Sequence, residues 1–276
     1  MAAIQRVIII GWDGAGNFVQ AAHTPYLDRI IARGAIAYDA QTASPTISAE
    51  CWGAMMHGVN PEKHGLTNSK AEKQQFPIDS PYPSIFRIVR EADRAAKLAS
   101  FSAWEPINYG IIESDLEVHN ISLPDRDVAL AAADYITNNP DVRLLFVHLD
   151  LPDMAGHKHG YNTPEQLRAI EETDANTGII LDGLERAGLM DESLIIIVSD
   201  HGGGGEIDTD HGSDHPLDKT IFWACAGPGI EPGTILSTNL TITDTAAVVA
   251  HALGLEAPIT WEAKLPERLF GQRTSK

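Results

Sequence analysis

The sequence is poor in cysteine and in long apolar runs. Its 276 residues include two cysteines, Cys51 and Cys225, which lie in unrelated contexts and form no Cys-x-x-Cys pair. This pattern argues against a zinc ribbon and a disulfide framework. No apolar run approaches the roughly 20 residues that a membrane-spanning helix needs, and the run before Gly11 is too short for a signal-peptide core. We therefore expect a cytoplasmic protein that is not inserted in a membrane.

Positive charge is also scarce. The chain has 20 Lys and Arg residues against 38 Asp and Glu, which gives a formal net charge of −18. Because such a surface would repel phosphates, we expect no nucleic-acid polymer and no anionic membrane as a partner. A small anionic substrate is still compatible with this charge if cations in the site reverse the local field. The sequence does not indicate an oligomeric state.

Short apolar runs alternate with helical patterns, and the 43% share of hydrophobic residues is typical of a globular domain. The runs predict buried parallel strands over residues 6–10, 143–149, 194–198 and 220–226, with a weaker candidate at 97–103. Helices are predicted over residues 24–33, 83–94, 124–138, 163–188 and 244–253. This alternation predicts an α/β three-layer sandwich, with a mostly parallel central sheet covered by helices on both faces. No repeat or linker divides the chain, so we expect one domain over residues 1–276, with irregular segments at 58–83 and 202–219.

Three of the apolar runs end in carboxylates. The first leads to Asp13, the second to Asp150 and Asp153, and the third to Asp200 followed by His201. A single such aspartate is more often a turn residue or a helix cap. Ligands of open α/β sheets bind outside the carboxyl ends of the strands, so several of these side chains together predict one shared site at that edge.

Histidines extend this cluster. The stretch "DMAGH" places His157 four residues after Asp153, with Gly156 permitting a tight turn, and "TDHGSDH" supplies His211 and His215. Mixed His and Asp ligands suit zinc or manganese and are a poor match for calcium. The glycines of 202–205 would let the backbone approach an ion or its ligand. The residues divide into two sets of three, each with an open position as in catalytic sites: Asp153, His157 and a later histidine in one set, and Asp13, Asp200 and His201 in the other.

Two divalent ions can clamp the attacking and leaving oxygens of a phosphoryl transfer and can activate a hydroxyl nucleophile. The stretch "SPTISAECWGAMMHG" at 44–58 carries three hydroxyls, those of Ser44, Thr46 and Ser48, before a segment of helical composition. A hydroxyl at the start of that helix would lie at a terminus that favours an anion. Taken without the metal cluster, Ser48 reads more simply as a helix N-cap.

The ordered motifs resemble the alkaline phosphatase superfamily, in particular its type I phosphodiesterase/nucleotide pyrophosphatase branch. The resemblance is carried by "IIIGWDG", "PTIS…GVNPEKHGLTN", "DLPDMAGHKHG", "IVSDHGGGG", "DHG…AGPGI" and "DTAAVVAHALGLEAP", which together span nearly the whole chain. It implies an alkaline-phosphatase-like fold. The chain leaves no obvious room for the large cap domain that the superfamily's mutases insert.

The resemblance also implies roles for individual residues. One zinc would be held by Asp153, His157 and His211, and the other by Asp13, Asp200, His201 and the nucleophile oxygen. The family's nucleophile follows "Pro-Thr-x", which indicates Ser48, and its last ligand lies in a His-Gly pair, which favours His211 over His215. Asn68 would help to hold a phosphate oxygen. Of the other histidines, His159 could face the substrate, whereas His148 is expected to be structural.

The chain departs from this family just after the nucleophile. The family usually has Thr followed by Phe-Pro-Asn-His, and here Ser48 is followed by Ala-Glu-Cys-Trp at 49–52. Because the family's Phe helps to stack a nucleobase, its absence weakens the case for a nucleotide substrate, and Trp104 could line the pocket instead. We expect the substrate preference to differ at residues 50–52.

The sequence thus predicts an enzyme, a two-metal hydrolase of phosphate esters that acts first of all on diesters or pyrophosphates. Ser48 would attack phosphorus, and water would then cleave a phosphoseryl intermediate. The implied cofactors are two divalent ions, zinc in the first place and manganese as the alternative. A phosphomonoesterase or phosphonate hydrolase of the same superfamily is a second reading. A non-catalytic, metal-stabilised binding protein is a third, and it would be expected to lack a ligand or the hydroxyl, none of which is missing.

Overall fold

The computed structural model describes residues 3–236 and 239–271, so residues 1–2, 237–238 and 272–276 of the expected domain lie outside the described residues. The strands are β1 (Arg6–Trp12), β2 (Ala35–Gln41), β3 (Lys97–Ser102), β4 (His119–Ser122), β5 (Val142–Leu149), β6 (Ser193–Ser199), β7 (Thr220–Ala226) and β8 (Thr234–Ile235). The helices are α1 (Pro25–Arg33), α2 (Ser48–His57), α3 (Pro61–His64), α4 (Asn68–Ala71), α5 (Ile85–Ala92), α6 (Asp125–Asn138), α7 (Leu151–His159), α8 (Pro164–Arg186), α9 (Pro216–Lys219) and α10 (Asp244–Ala252). A π-helical turn covers Ile107–Ile111.

The strands form one sheet in the order β4-β3-β5-β1-β6-β7-β2-β8. Strand β1 lies at its centre and pairs in parallel with both β5 and β6. The three strands that end in carboxylates are therefore direct neighbours, and their carboxyl ends meet at one edge. The prediction of an α/β fold with a mostly parallel sheet is confirmed.

Strand β7 corrects one part of that prediction, because it runs antiparallel to β6 and to β2. The segment between Ser199 and Thr220 contains one helix, the four-residue α9. A parallel connection needs a crossover of a dozen or more residues, usually a long helix that returns the chain to the other edge. Here the chain stays at the carboxyl edge of β6, so β7 starts there and runs back. Burial on both faces makes parallel and antiparallel core strands look alike in sequence.

The sheet separates two apolar cores. Val7 and Ile9 of β1 belong to the core on the side of α2, α5 and α10, whereas Ile8 and Ile10 belong to the core on the side of α1, α6 and α8. All four side chains are fully buried, and each contributes about 1.5–3 kcal/mol through the area it removes from water. The uninterrupted apolar run of β1 is thus explained by helices on both faces of the sheet.

Most predicted helices occur within two residues of their expected bounds. Helix α8 begins after Thr163, whose side chain accepts a hydrogen bond from the backbone N–H of Gln166, and Pro164 occupies its first turn. Helix α5 is shorter than expected because Ser84 caps its start and Asp93 at its end is extended. Strands β2, β4 and β8 and helix α7 were not predicted, and the segments expected to be irregular contain the short helices α3, α4 and α9. None of the described helices has the length and apolar character that a bilayer crossing requires.

Candidate active site

Ser48 is the first residue of α2 and lies at the carboxyl edge of the sheet. The residue that caps this helix is Ile47, which offers no side-chain cap, so Ser48 is not an N-cap. Its side chain is nearly buried, and its Oγ lies 3.3 Å from Nε2 of His201. The reading of Ser48 as a plain cap is therefore wrong, and the hydroxyl points to the acidic cluster at the strand ends.

Asp13, Asp200 and His201 form a fully buried group around this hydroxyl. One ligand atom from each lies within 4.8 Å of the others. Nε2 of His201 is 3.3 Å from Oδ1 of Asp13 and 3.5 Å from Oδ2 of Asp200. Asp13 directly follows β1, and Asp200 and His201 are the first two residues after β6, its parallel neighbour.

A second group consists of Asp153, His157 and His211, whose ligand atoms also lie within 4.8 Å of one another. Asp153 and His157 are on α7, where a spacing of four residues puts both side chains on one face of the helix. The expected tight turn at Gly156 is wrong, since Gly156 lies inside this helix. Its missing side chain makes room for the ring of Tyr161, which a Cβ would meet at 2.4 Å.

His215 is not part of either group. Its Nδ1 accepts a hydrogen bond from the backbone N–H of Leu217 and so caps the start of α9. Among the residues that the structure describes, His211 is the later histidine that joins the second group.

The three histidines of the two groups are oriented in the same way. Nδ1 of His157 lies 2.9 Å from the Thr209 carbonyl, Nδ1 of His201 lies 2.8 Å from the Gly202 carbonyl, and Nδ1 of His211 lies 2.6 Å from the Thr46 carbonyl. Because a carbonyl only accepts, each ring in its neutral form carries the proton on Nδ1 and presents a lone pair at Nε2. This is the arrangement that a histidine ligand of a metal ion adopts.

The Nε2 atoms of His157 and His211 lie only 3.1 Å apart. Two lone pairs at this distance repel each other unless a cation lies between them. Oδ1 of Asp13 and Oδ2 of Asp200 are buried and make no hydrogen bond within the described residues. Buried polar atoms are normally satisfied, so the donor set fits two divalent ions with nitrogen and oxygen ligands such as zinc or manganese.

The electrostatics of the cluster point the same way. Burial raises the pKa of Asp200 well above its ordinary value, and the charge of Asp13 adds to this effect. Burial opposes the charge on His201, but Asp200 and Asp13 outweigh it and raise the pKa of that ring. The buried carboxylates repel each other, and positive charge supplied at their free oxygens would stabilise the cluster.

Asn68 is close to the nucleophile. It begins α4, and its Oδ1 accepts a hydrogen bond of 2.9 Å from the backbone N–H of Ala49, the residue after Ser48. This contact commits the oxygen of the amide and leaves its NH₂ group as the available donor. Trp104 follows the carboxyl end of β3, at the same edge of the sheet, and is half-buried against the core on the α2 side.

The residues at 50–52, where we expected the substrate preference to differ, are all buried. Cys51 and Trp52 are fully buried, so neither forms a wall of an open pocket. Glu50 is also buried, and its Oε2 has no hydrogen-bond partner within the described residues. Burial raises the pKa of Glu50 to about 6.

The glycines of 202–205 have a packing role that the sequence did not suggest. A Cβ on Gly202 would meet the Leu217 carbonyl at 2.0 Å, and one on Gly203 would meet the ring of Tyr161 at 2.6 Å. These glycines make room for protein groups that surround the site. Close packing by itself thus requires glycine at both positions.

Three residues that contact the candidate ligands were not identified from the sequence. Nε2 of His148 donates to Oδ2 of Asp13 at 2.8 Å, and Nε1 of Trp52 donates to the same oxygen at 3.0 Å. The hydroxyl of Tyr161 donates to Asp153 at 2.5 Å. His148 and Trp52 are 135 and 39 residues from Asp13 in the sequence, so no local spacing signals these two contacts. Tyr161 is 8 residues from Asp153. His148, which we expected to be structural, thus contacts a candidate metal ligand.

Comparisons with known proteins agree with the geometry. A family model described as type I phosphodiesterase / nucleotide pyrophosphatase matches residues 7–220. The chain is 23% identical over 228 residues to ectonucleotide pyrophosphatase/phosphodiesterase family member 7 of Mus musculus, with 73% of this chain and 51% of that protein covered. The chain therefore spans about half the length of the curated relatives it matches.

Solved structures share the fold. Human ectonucleotide pyrophosphatase/phosphodiesterase 5 is 15% identical and gives a TM-score of 0.79, over 97% of this chain and 100% of that one. An inactive form of the murine protein in complex with AMP gives a TM-score of 0.75 at 15% identity, over 92% and 96% of the two chains. At this identity the likeness shows the fold alone.

Proposed function

Because the chain belongs to the type I phosphodiesterase/nucleotide pyrophosphatase family, we propose that it is a metal-dependent hydrolase of phosphate esters. The observation that carries this proposal is the position of the Ser48 hydroxyl. It lies 3.3 Å from Nε2 of His201, inside a group whose free carboxylate oxygens and imidazole lone pairs suit a divalent ion. A hydroxyl in this position is placed to act as a nucleophile.

In the proposed reaction, Ser48 attacks the phosphorus of the substrate and a phosphoseryl intermediate forms. The P–O bond to the leaving group breaks as the bond to Oγ forms, and water later cleaves the phosphoseryl ester. Two divalent ions would supply the positive charge that favours the ionised hydroxyl and offsets the charge on the phosphate and the leaving oxygen. Asp13, Asp200 and His201 would hold one ion, and Asp153, His157 and His211 would hold the other.

The chain's own groups orient the phosphate. Ser48 is at the N-terminus of α2, where unpaired backbone N–H groups and the helix dipole favour an anion. The amide of Asn68, whose oxygen is held by Ala49, presents its NH₂ group as a donor for a phosphate oxygen. Both groups would bind the charge that develops on the phosphate in the transition state.

We propose zinc as the ion in both positions, with manganese as the alternative, because the sets mix imidazole and carboxylate ligands.

For the substrate, we propose a small phosphodiester or pyrophosphate. The AMP complex of the murine relative supports a nucleotide, and Trp104 at the edge of the site is the aromatic group proposed to contact it. We also propose a single domain without a large cap, which is supported by the one eight-stranded sheet that the described residues form. A cytoplasmic location is proposed from the sequence alone.

The experiment compares Ser48→Ala with Ser44→Ala. Ser44 lies in the same stretch, but its Oγ is exposed and donates to Asp214, so this variant is a matched control. With bis(p-nitrophenyl) phosphate and added zinc, Ser48→Ala should lower kcat by roughly three orders of magnitude or more, while metal content persists. Ser44→Ala should stay near wild type. Equal activity of Ser48→Ala and wild type would exclude the proposed nucleophile.

The same assay tests the substrate class. Faster turnover of bis(p-nitrophenyl) phosphate and thymidine p-nitrophenyl phosphate than of p-nitrophenyl phosphate supports a diesterase. The reverse order supports the phosphomonoesterase reading. Purified protein should also contain about two transition-metal ions per chain. Protein that contains no metal and gains no activity with zinc or manganese would exclude the metal-dependent hydrolase.

A further inference from the structure

Asp13 is bound on one side of its carboxylate only. Its Oδ2 accepts two hydrogen bonds, at 2.8 Å from Nε2 of His148 and at 3.0 Å from Nε1 of Trp52. Its Oδ1 makes no hydrogen bond within the described residues and faces Nε2 of His201 at 3.3 Å. The two oxygens of one carboxylate are thus divided between the protein interior and the candidate ion site.

Trp52 differs from the other buried tryptophans in its partner. A buried indole N–H needs an acceptor, and neutral hydroxyls suffice for Trp12, which donates to Thr177, and for Trp223, which donates to Thr245. The acceptor of Trp52 is the carboxylate of a candidate ligand. Hydrogen bonds to ionised groups are roughly twice as strong as those between neutral groups, so this contact constrains Asp13 more than a packing contact would.

The space for Trp52 is built into β1. A Cβ on Gly11 would lie 2.3 Å from the ring of Trp52, so the indole can lie against the strand only because residue 11 has no side chain. On the other side, the ring packs edge-on against Phe146 and His148 of β5, with centroids 5.5 and 5.4 Å away. Trp52 therefore packs in a fixed position on the face of the sheet over the paired strands β1 and β5, next to the carboxylate that follows β1.

We propose that Trp52 and His148 are positioning residues that make Asp13 a one-oxygen ligand. They hold Oδ2 and turn Oδ1 toward the ion that Asp200, His201 and Ser48 share. This inference rests on the proposed function, since it requires that the Asp13 set holds a divalent ion. The outer partners of metal ligands typically change affinity about 10- to 100-fold when they are removed.

The proposal predicts a selective effect. Loss of the Trp52 N–H should weaken the ion at the Asp13 set and leave the ion at the Asp153 set unchanged, because neither residue contacts Asp153, His157 or His211 in the described hydrogen bonds. A general loss of stability would instead weaken both ions together.

The test compares Trp52→Phe with Trp223→Phe. Each variant removes one fully buried indole N–H from the same core, but only the first removes a donor to a candidate ligand. Affinities for Zn²⁺ and Co²⁺ are measured by competition with a chelator, and the visible absorption of the Co²⁺ form reports ligand geometry. We expect one of two ions to bind about 10- to 100-fold more weakly to Trp52→Phe, with a changed Co²⁺ spectrum, and both to bind normally to Trp223→Phe.

His148 provides a second variant that does not depend on the folding of Trp52→Phe. His148→Gln keeps an N–H donor for Asp13, whereas His148→Leu removes it. The Gln variant should retain more affinity at the same single ion than the Leu variant. Equal losses in both, or losses at both ions, would overturn the positioning role.

The outcomes separate this inference from the proposed function. Wild-type protein that binds no ion overturns both. Wild-type protein that binds two ions, with unchanged affinities in Trp52→Phe, overturns the positioning role alone. Asp13, His148 and Asp150 also lie within 4.8 Å of one another, so a third ion that disappears in His148→Leu would make His148 a ligand and overturn the proposal as well.

Discussion

The hydroxyl of Tyr161 donates a 2.5 Å hydrogen bond to Oδ1 of Asp153. Each candidate ion group thus contains one carboxylate that an aromatic residue holds from the protein side, Asp13 by Trp52 and Asp153 by Tyr161. Burial and the charge of Asp153 raise the pKa of Tyr161, so the phenol stays protonated and remains a donor. The contact connects the segment that follows α7 to a ligand on the first turn of that helix.

Tyr161→Phe should weaken the ion held by Asp153, His157 and His211. The change removes the donor but keeps the ring that fills the space beside Gly156 and Gly203. We expect about a 10- to 100-fold loss of affinity at that one ion, measured by chelator competition. Tyr135→Phe, whose ring stacks on His119 at the far edge of the sheet, is the control. Normal binding of both ions to Tyr161→Phe would contradict the prediction.

Thr46→Val should disturb the loop that carries His211. The Thr46 hydroxyl donates to the Ser213 carbonyl at 3.0 Å and accepts from the Gly212 N–H at 2.9 Å, and it is fully buried. Because valine leaves both partners unpaired, we expect a loss of about 1–3 kcal/mol in the free energy of unfolding, measured by urea denaturation. Thr46→Ser keeps the hydroxyl and should recover most of it. Equal stability of the Val and Ser variants would exclude this role.

Asp200→Asn should have opposite effects with and without metal. In the metal-free protein, burial and the charge of Asp13 raise the pKa of Asp200, so its ionised form destabilises the fold as the pH rises through that pKa. At pH 8 in excess chelator, the Asn variant should therefore unfold at a Tm equal to or above that of wild type. With zinc, its Tm should be lower, because a ligand is lost. A much lower Tm of the variant in chelator would disprove the argument.

His64 should make the fold sensitive to acid. Burial lowers its pKa to about 3 from the ordinary value of 6.5, and its Nδ1 accepts from the backbone N–H of Leu66. The unfolded chain binds a proton below pH 6.5 while the folded chain does not, so the stability contributed by neutral His64 is lost as the pH falls from 6.5 toward 3. The free energy of unfolding should fall by about 1.4 kcal/mol per pH unit from this group.

The comparison with His64→Asn isolates this effect, because asparagine keeps an acceptor for Leu66 but does not titrate. Urea denaturation at pH 7 and pH 5 should show the stability advantage of wild type over the variant shrinking by about 2 kcal/mol. An advantage that stays constant between the two pH values would refute the assignment.

The central strands and most helices were predictable because their signals are local. Strands buried on both faces, such as β1 and β6, read as continuous apolar runs, and helix ends carry caps such as Thr163 and Ser84. The strands that were missed are Ala-rich, as β2 is, or short and at the margin of the sheet, as β4 and β8 are. Their pairing depends on neighbours that lie far away in the sequence.

The sequence by itself determined which residues could hold ions, since aspartates and histidines follow the ends of neighbouring strands. Only the tertiary structure decided how they are held. It placed α7 so that Asp153 and His157 share a face, and it turned three imidazoles by hydrogen bonds to backbone carbonyls. It also brought Trp52 and His148 to one oxygen of Asp13 across 39 and 135 residues. Hydrogen bonds between distant segments depend on the packing of the whole sheet, which no local spacing encodes.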